Sequence, residues 1–227
     1  MDEDIEMNEE NISLLFEEVK EAELVLIGIG EEYEVRFDKI NVNDEDTKIR
    51  KMIYQKVTQL LSGKNYFIVS LCTDGIIRKQ GLDDTRIVEP CGNYTYLQCS
   101  EKCSVDLYDA ERGMNICPKC GKPLVFNRLE ETGAQYVEEG YLENWKTYTK
   151  WLQGTVNRKV CILELGVGMK YPSVIRFPFE KVAYFNQKAS FFRVHSRLYQ
   201  VTEEIKDRSY GIKATPDEFL KELSNKL

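Results

Sequence analysis

Two cysteine pairs, Cys99-Ser-Glu-Lys-Cys103 and Cys117-Pro-Lys-Cys120-Gly121, stand 13 residues apart in the 227-residue chain. In each pair a short loop can turn both thiolates toward one point. Four thiolates at about 2.3 Å close a tetrahedral zinc shell with no open position. Gly121 allows the tight turn that such a knuckle needs. The flanking residues 94–98, 105–108 and 124–126 read as the short strands of a zinc ribbon spanning residues 94–127. A closed four-thiolate site staples its segment and does no chemistry; the competing reading is two unrelated pairs of cysteines. The remaining thiols are Cys72, Cys91 and Cys161. Seven cysteines in all fit a disulfide framework poorly, and an intracellular chain keeps its thiols reduced.

The rest of the chain alternates apolar strands with amphipathic helices. Residues 24–30, 66–71 and 159–168 read as buried parallel strands, the first and third ending in glycines. Helices are predicted over 9–23, 44–62 and 133–153, and a last one is capped by Thr215 with Pro216 in its first turn. Two more strands are predicted over 182–185 and 191–195. This order gives an α/β fold, a doubly wound, Rossmann-like parallel sheet, with the four-cysteine ribbon as an insert. Residues 1–93 and 128–227 would form the sheet domain around it.

Charge and composition remove several function classes. Thirty-one basic against 38 acidic residues give net −7, the wrong sign for a surface that binds nucleic acid along its length. The longest apolar run, residues 24–29, is far too short to cross a bilayer, and the acidic start lacks the order of a secretion signal. A cytoplasmic protein that touches neither nucleic acid nor membrane is the expectation. One histidine, His195, excludes a two-histidine metal site and must carry any Ser-His or Cys-His pair alone.

Five stretches resemble the sirtuins, the NAD-dependent deacylases and ADP-ribosyltransferases, and above all their bacterial branch linked to macrodomains. They are Tyr66-Phe-Ile-Val-Ser-Leu-Cys-Thr-Asp-Gly75 with Gly81-Leu-Asp beyond it, Arg86-Ile-Val-Glu-Pro-Cys-Gly-Asn-Tyr94, Leu97-Gln-Cys99, Leu163-Glu-Leu-Gly-Val-Gly168, and Ile175-Arg-Phe-Pro-Phe-Glu180. They fall in the family's order between residues 66 and 195. The resemblance implies cleavage of NAD at the nicotinamide bond and transfer of ADP-ribose. It also implies a glycine-rich phosphate loop after the first strand, an Asn-x-Asp segment after the second, a histidine base, and a later glycine pair beside the adenosine.

At the chemical positions the chain departs from that pattern. The first strand runs into Gly28-Ile-Gly-Glu-Glu32 where the family has Gly-Ala-Gly-x-Ser, so two carboxylates stand where pyrophosphate needs donors and positive charge. Only residues 31–64 separate this strand from Asn65, too few for the family's full cofactor-covering module. The family asparagine falls on Cys72, its histidine base on Cys91, and its late nucleotide-site asparagine on His195, while Asp74, Gly75, Gly92, Gly166 and Gly168 are kept.

Each position has two readings. Asp74 holds a ribose or caps the turn over residues 75–80, and Gly166 and Gly168 admit a nucleotide or end a strand. Cys91 replaces the base, or is a buried thiol held up by its neighbour Glu89 with no cation to activate it. By homology Cys72 and Cys91 would line one pocket, where a reversible disulfide between them is conceivable. His195 is a nucleotide contact or a satisfied surface histidine. Residues 33–38 are a candidate for folding back over a nucleotide.

Two functions follow. One is a sirtuin-like zinc protein degenerate in NAD cleavage that acts as a binding or scaffolding partner of another protein. The other is an NAD-dependent ADP-ribosyltransferase or deacylase with a rearranged site. Both carry structural zinc; the second also needs NAD.

Overall fold

A computed structural model describes residues 5–35 and 45–226. Residues 2–4 of the acidic start, residue 44 of the second helix and residues 36–38 of the candidate fold-back segment lie outside them. Strands β1 (Ile5–Glu6), β2 (Leu24–Ile29), β3 (Asn65–Ser70), β4 (Ile87–Val88), β8 (Val160–Leu165), β9 (Ala189–Val194) and β10 (Ser209–Lys213) form one sheet. Its order is β1-β10-β9-β8-β2-β3-β4, and every pair is parallel. All six residues of β2, β8 and β9 are buried, as expected for strands covered on both faces.

Side chains alternate between the two faces. Val25, Ile27 and Ile29 pack with Ile12, Leu15 and Val19 of α1 (Glu9–Glu21), Ile53 and Val57 of α2 (Glu45–Leu60), and Phe219 and Leu223 of α6 (Pro216–Asn225). Leu24 and Leu26 face the other way, among Tyr148 of α4 (Glu139–Gln153) and Phe179 and Ala183 of α5 (Arg176–Phe185). α6 starts with a full capping box: the Thr215 hydroxyl accepts from Glu218 N, and the Glu218 carboxylate accepts from Thr215 N.

A second, three-stranded antiparallel sheet is built from β5 (Gly92–Cys99), β6 (Tyr108–Asp109) and β7 (Leu124–Arg128), in the order β6-β5-β7. It occupies the crossover that carries the chain from β4 past β3 and β2 to β8. A short helix, α3 (Leu129–Thr132), leads out of it.

Four expectations change. Residues 182–185 are the end of α5 and not a strand: Ala183 and the half-buried Val182 continue the stripe that Phe179 begins, while Tyr184 and Phe185 face outward. The helix expected over 133–153 begins only at Glu139; a 3-10 turn, Gly133–Gln135, precedes it. The helical spacing of residues 44–62 predicts one buried face of Ile49, Met52, Ile53, Val57, Leu60 and Leu61, but Ile49 and Met52 are exposed and Leu60 is half-buried, leaving Ile53, Val57 and Leu61 with Tyr54 to make that face. β1 and β10 extend the sheet where no strand was expected, β1 being only two residues long.

Candidate functional site

In an open α/β sheet, ligands bind outside the carboxyl ends of the strands where the strand order reverses. Here that point lies between β2 and β8, neighbours in register from Leu24↔Val160 to Ile29↔Leu165. The chain leaves β2 toward β3 on one side and β8 toward β9 on the other, so a crevice is expected between the loops that follow Ile29 and Leu165. Both loops are glycine-rich, and they touch. Gly30 N donates to Leu165 O at 2.8 Å and Glu32 N to Gly166 O at 3.2 Å. A Cβ on Gly30 would stand 2.2 Å from Gly166 O, so only glycine lets the two backbones approach this closely.

The next residues fill the remaining space with their own carboxylates. Glu31 accepts from Gly168 N and Lys170 N, both at 3.4 Å, and a Cβ on Gly168 would meet its Oε1 at 2.4 Å. Glu32 accepts from Ser196 N at 3.2 Å and from the Ser196 hydroxyl. Tyr33 is buried, with the Arg50 guanidinium 3.9 Å above its ring, and Arg50 pairs with Asp217 at 2.8 Å. The acidic turn is thereby clamped between α2, α6 and the β8 loop.

His195 is buried and not a surface residue. Its Nδ1 lies 3.2 Å from Glu32 Oε2, yet the same nitrogen accepts from Arg197 N at 3.1 Å and Leu198 N at 3.2 Å. A nitrogen that accepts carries no proton, so the ring is neutral and the contact with Glu32 is not an ion pair. Burial, helped by the positive charge of Arg176, holds the imidazole below its usual range; Glu32 works in the opposite direction.

Asp74 is buried at the end of β3, where its two oxygens accept from Ile76 N at 2.9 Å and Val35 N at 3.0 Å. It caps the turn that follows and also ties down residue 35. Burial raises its carboxyl above the usual range in spite of those two donors. Cys72 donates to Gly30 O at 3.3 Å, and burial beside Asp74 and Glu34 pushes its thiol well up.

Cys91 is buried, and its thiol is pushed up to about 12 by burial, with Glu130, Glu34 and Glu31 adding to the rise and Lys170 opposing it. The expected neighbour Glu89 is not the cause: it turns away to accept from Arg78 Nε and Asn93 Nδ2. Nor do Cys72 and Cys91 share a pocket. Cys72 packs on the α1–α2–α6 face, Cys91 on the opposite one, and both are free thiols.

The four remaining candidates converge. Sγ atoms of Cys99, Cys103, Cys117 and Cys120 all lie within 4.8 Å of one another, with Cys99–Cys120 at 3.4 Å and Cys103–Cys117 at 3.6 Å. Tetrahedral zinc–thiolate bonds require sulfurs about 3.8 Å apart, so the donor set fits a zinc ion. Lys102 N donates to Cys99 O at 3.0 Å and Gly121 N to Cys117 O at 2.9 Å, closing the two knuckle turns. Backbone N–H groups of Glu101 and Cys103 point at the Cys99 sulfur, and those of Lys119 and Cys120 at the Cys117 sulfur. Such donors stabilise thiolate ligands.

The base of this module reaches the crevice. Arg128, at the end of β7, donates through Nε to the Thr73 hydroxyl at 3.1 Å, and Thr73 N donates to Glu34 at 3.1 Å. Glu130 forms an ion pair with Lys170. Ser196 and Lys170 went unnoticed at the sequence level, since a serine after a strand and an exposed lysine carry no pattern. The acidic Glu31 and Glu32 were visible as a charge of the wrong sign, without the donors that hold them.

No family model matches the chain. Structures of sirtuins share its architecture. A Sir2 homologue in complex with NAD aligns over 99% of this chain and 96% of its own, with a TM-score of 0.58 at 11% identity. A structure on sirtuin substrate affinity aligns over 97% and 98%, with a TM-score of 0.59 at 12% identity. The fold is that of the Sir2 sirtuins. By sequence it is 24% identical over 214 residues to a protein ADP-ribosyltransferase of Staphylococcus aureus, covering 86% of this chain and 67% of the relative. It is 27% identical over 142 residues to a probable bifunctional ADP-ribose hydrolase/ADP-ribosyltransferase of Fusarium oxysporum f. sp. cubense. That match takes in 52% of this chain and 23% of the fungal protein. Among the described residues, no helix is long and apolar enough to cross a membrane.

Proposed function

We propose that the chain is a zinc-stapled, sirtuin-like binding or scaffolding protein, degenerate in NAD cleavage, that works in the cytoplasm through a protein partner. The observation that carries this reading is the occupation of the switch-point crevice by Glu31 and Glu32, whose carboxylates take up donors a dinucleotide phosphate would need. Two further features agree with it. Neither group at a family base or late nucleotide position is free to act: the Cys91 thiol is pushed up to about 12, and His195 Nδ1 is engaged by two backbone donors. Occupation of the phosphate cradle by Glu31 and Glu32 and loss of the base together leave little to hold or polarise a ribose. The four cysteines would hold the zinc as a closed shell, which orders the module and contributes to folding.

Nicotinamide release from NAD by the zinc-loaded protein tests the reading, alongside calorimetric titrations with NAD and ADP-ribose. The expected outcome is neither release nor binding at millimolar ligand. Release that an Asp74→Ala substitution abolishes would overturn it. The second reading, an NAD-dependent protein ADP-ribosyltransferase or deacylase with a rearranged site, draws its support from the 24% likeness to the staphylococcal protein ADP-ribosyltransferase. It would rely on Asp74, Gly92, Gly166 and Gly168.

A further inference from the structure

The donors that Glu31 and Glu32 occupy form an ordered set that owes little to either side chain. Gly168 N and Lys170 N project from a loop fixed at its other side by Arg176, whose Nη1 donates to Val167 O at 2.7 Å and whose Nη2 donates to Leu198 O at 2.8 Å. Ser196 sits in a turn that His195 Nδ1 closes by accepting from Arg197 N and Leu198 N. Arg176 and Arg197 lie close enough to act electrostatically on His195, and Lys170 stands at the cradle's edge, paired with Glu130. Carboxylate and phosphate oxygens are both anionic acceptors with no proton to give, so the same N–H and O–H groups serve either.

We propose that Glu31 and Glu32 act as an internal anion, keeping shut a competent polyanion cradle made by Gly168 N, Lys170 N and the N–H and hydroxyl of Ser196. The crevice has kept its donors and lost its vacancy. A diphosphate-bearing ligand is the chemical class that the cradle takes once the two carboxylates are gone. The contact is autoinhibitory, since the loop that would approach the phosphates supplies their substitute. The proposal builds on the reading that the natural chain takes no nucleotide in this crevice.

The test is a Glu31→Ala/Glu32→Ala double variant titrated calorimetrically with inorganic pyrophosphate and with ADP-ribose. The double variant is expected to bind pyrophosphate about tenfold or more tightly than the natural chain. Adding Ser196→Ala to it is expected to take back much of the gain. A Glu203→Ala/Glu204→Ala control removes two carboxylates of another exposed turn and is expected to gain nothing. Should the double variant melt without a cooperative transition, Glu32→Ala alone is titrated, with a smaller gain expected. A folded variant that binds pyrophosphate no better than the natural chain overturns the proposal, as does an equal gain in the control. Nicotinamide release by the natural chain would instead overturn the reading of the chain as degenerate, so the two failures are separable.

Discussion

Glu32 on the β2 loop accepts the backbone N–H of Ser196 beyond β9 at 3.2 Å, bridging two loops that are 164 positions apart in the chain. That bridge leaves His195 facing a carboxylate with a nitrogen already used as an acceptor. The imidazole is neutral in the folded protein, and burial and Arg176 keep it so.

As the chain has one histidine, its titration can be followed by the single imidazole resonance in a proton NMR spectrum. The midpoint is expected below about 6.5, the value of a free side chain. The sign for stability follows: the unfolded chain takes up the proton first as pH falls, so the histidine's contribution is present above about pH 6.5 and is lost as pH falls through the folded midpoint. The natural chain should therefore lose stability relative to a His195→Gln variant between about pH 7 and pH 5. A midpoint above 7 would contradict the geometry.

The cysteine cluster should hold one zinc ion per chain. Cys117→Ser is expected to abolish stoichiometric zinc in metal analysis, whereas Cys161→Ser, which alters a buried thiol of β8, should retain it. Chelation should lower the thermal midpoint, because binding free energy at such a site is folding free energy.

Arg193 Nε donates to Glu164 Oε2 at 2.6 Å, and its Nη1 donates to Glu180 Oε1 and Gln200 O, both at 2.8 Å. Glu164 and Arg193 are almost wholly buried, and burial raises the Glu164 carboxyl despite its partner. Glu164→Ala takes away the fully buried partner of the guanidinium, leaving it only Glu180 and Gln200 O, and should cost about 3 kcal/mol in chemical denaturation. A Glu164→Leu/Arg193→Met pair should be much milder, although Glu180 loses its partner.

A Cβ on Gly28, inside β2, would stand 2.5 Å from Ile175 Cγ2 and 2.8 Å from Phe179 Cε2. Gly28→Ala therefore overpacks the junction of β2 with α5 and should cost about 1–3 kcal/mol. A paired Ile175→Leu, which has no Cγ2 methyl at the clash point, should recover part of that loss.

The central strands and the metal cluster were legible in the sequence for the same reason: each is encoded locally. Residues 24–29 form an unbroken apolar run and residues 160–165 one interrupted only by Glu164, and the two cysteine knuckles declare their own geometry. β10 was missed because Ser209-Tyr-Gly-Ile-Lys213 is half polar and becomes a strand only by pairing with β9 and β1. The stretch 182–185 looked like a strand in isolation, but tertiary burial of Phe179 and Ala183 made it the end of a helix. At the crevice, the charges of Glu31 and Glu32 could be read, but their partners could not. Lys170 and Ser196 come from distant segments, and only the strand order brings them to one place.

The route of the chain through the fold also bears on how it is made. β2 and β8 pair at the centre of the sheet, yet α2, β3, β4 and the whole cysteine module lie between them in sequence. Joining them means closing one long loop, and the entropy of that closure falls when part of the loop is already compact. A zinc ion drawing Cys99, Cys103, Cys117 and Cys120 together would tie off a segment of that loop. A metal bound at the four cysteines would thus shorten the loop left to close, and a chain without it would have to close the whole segment at once, with the edges of β2 and β8 bare in the meantime.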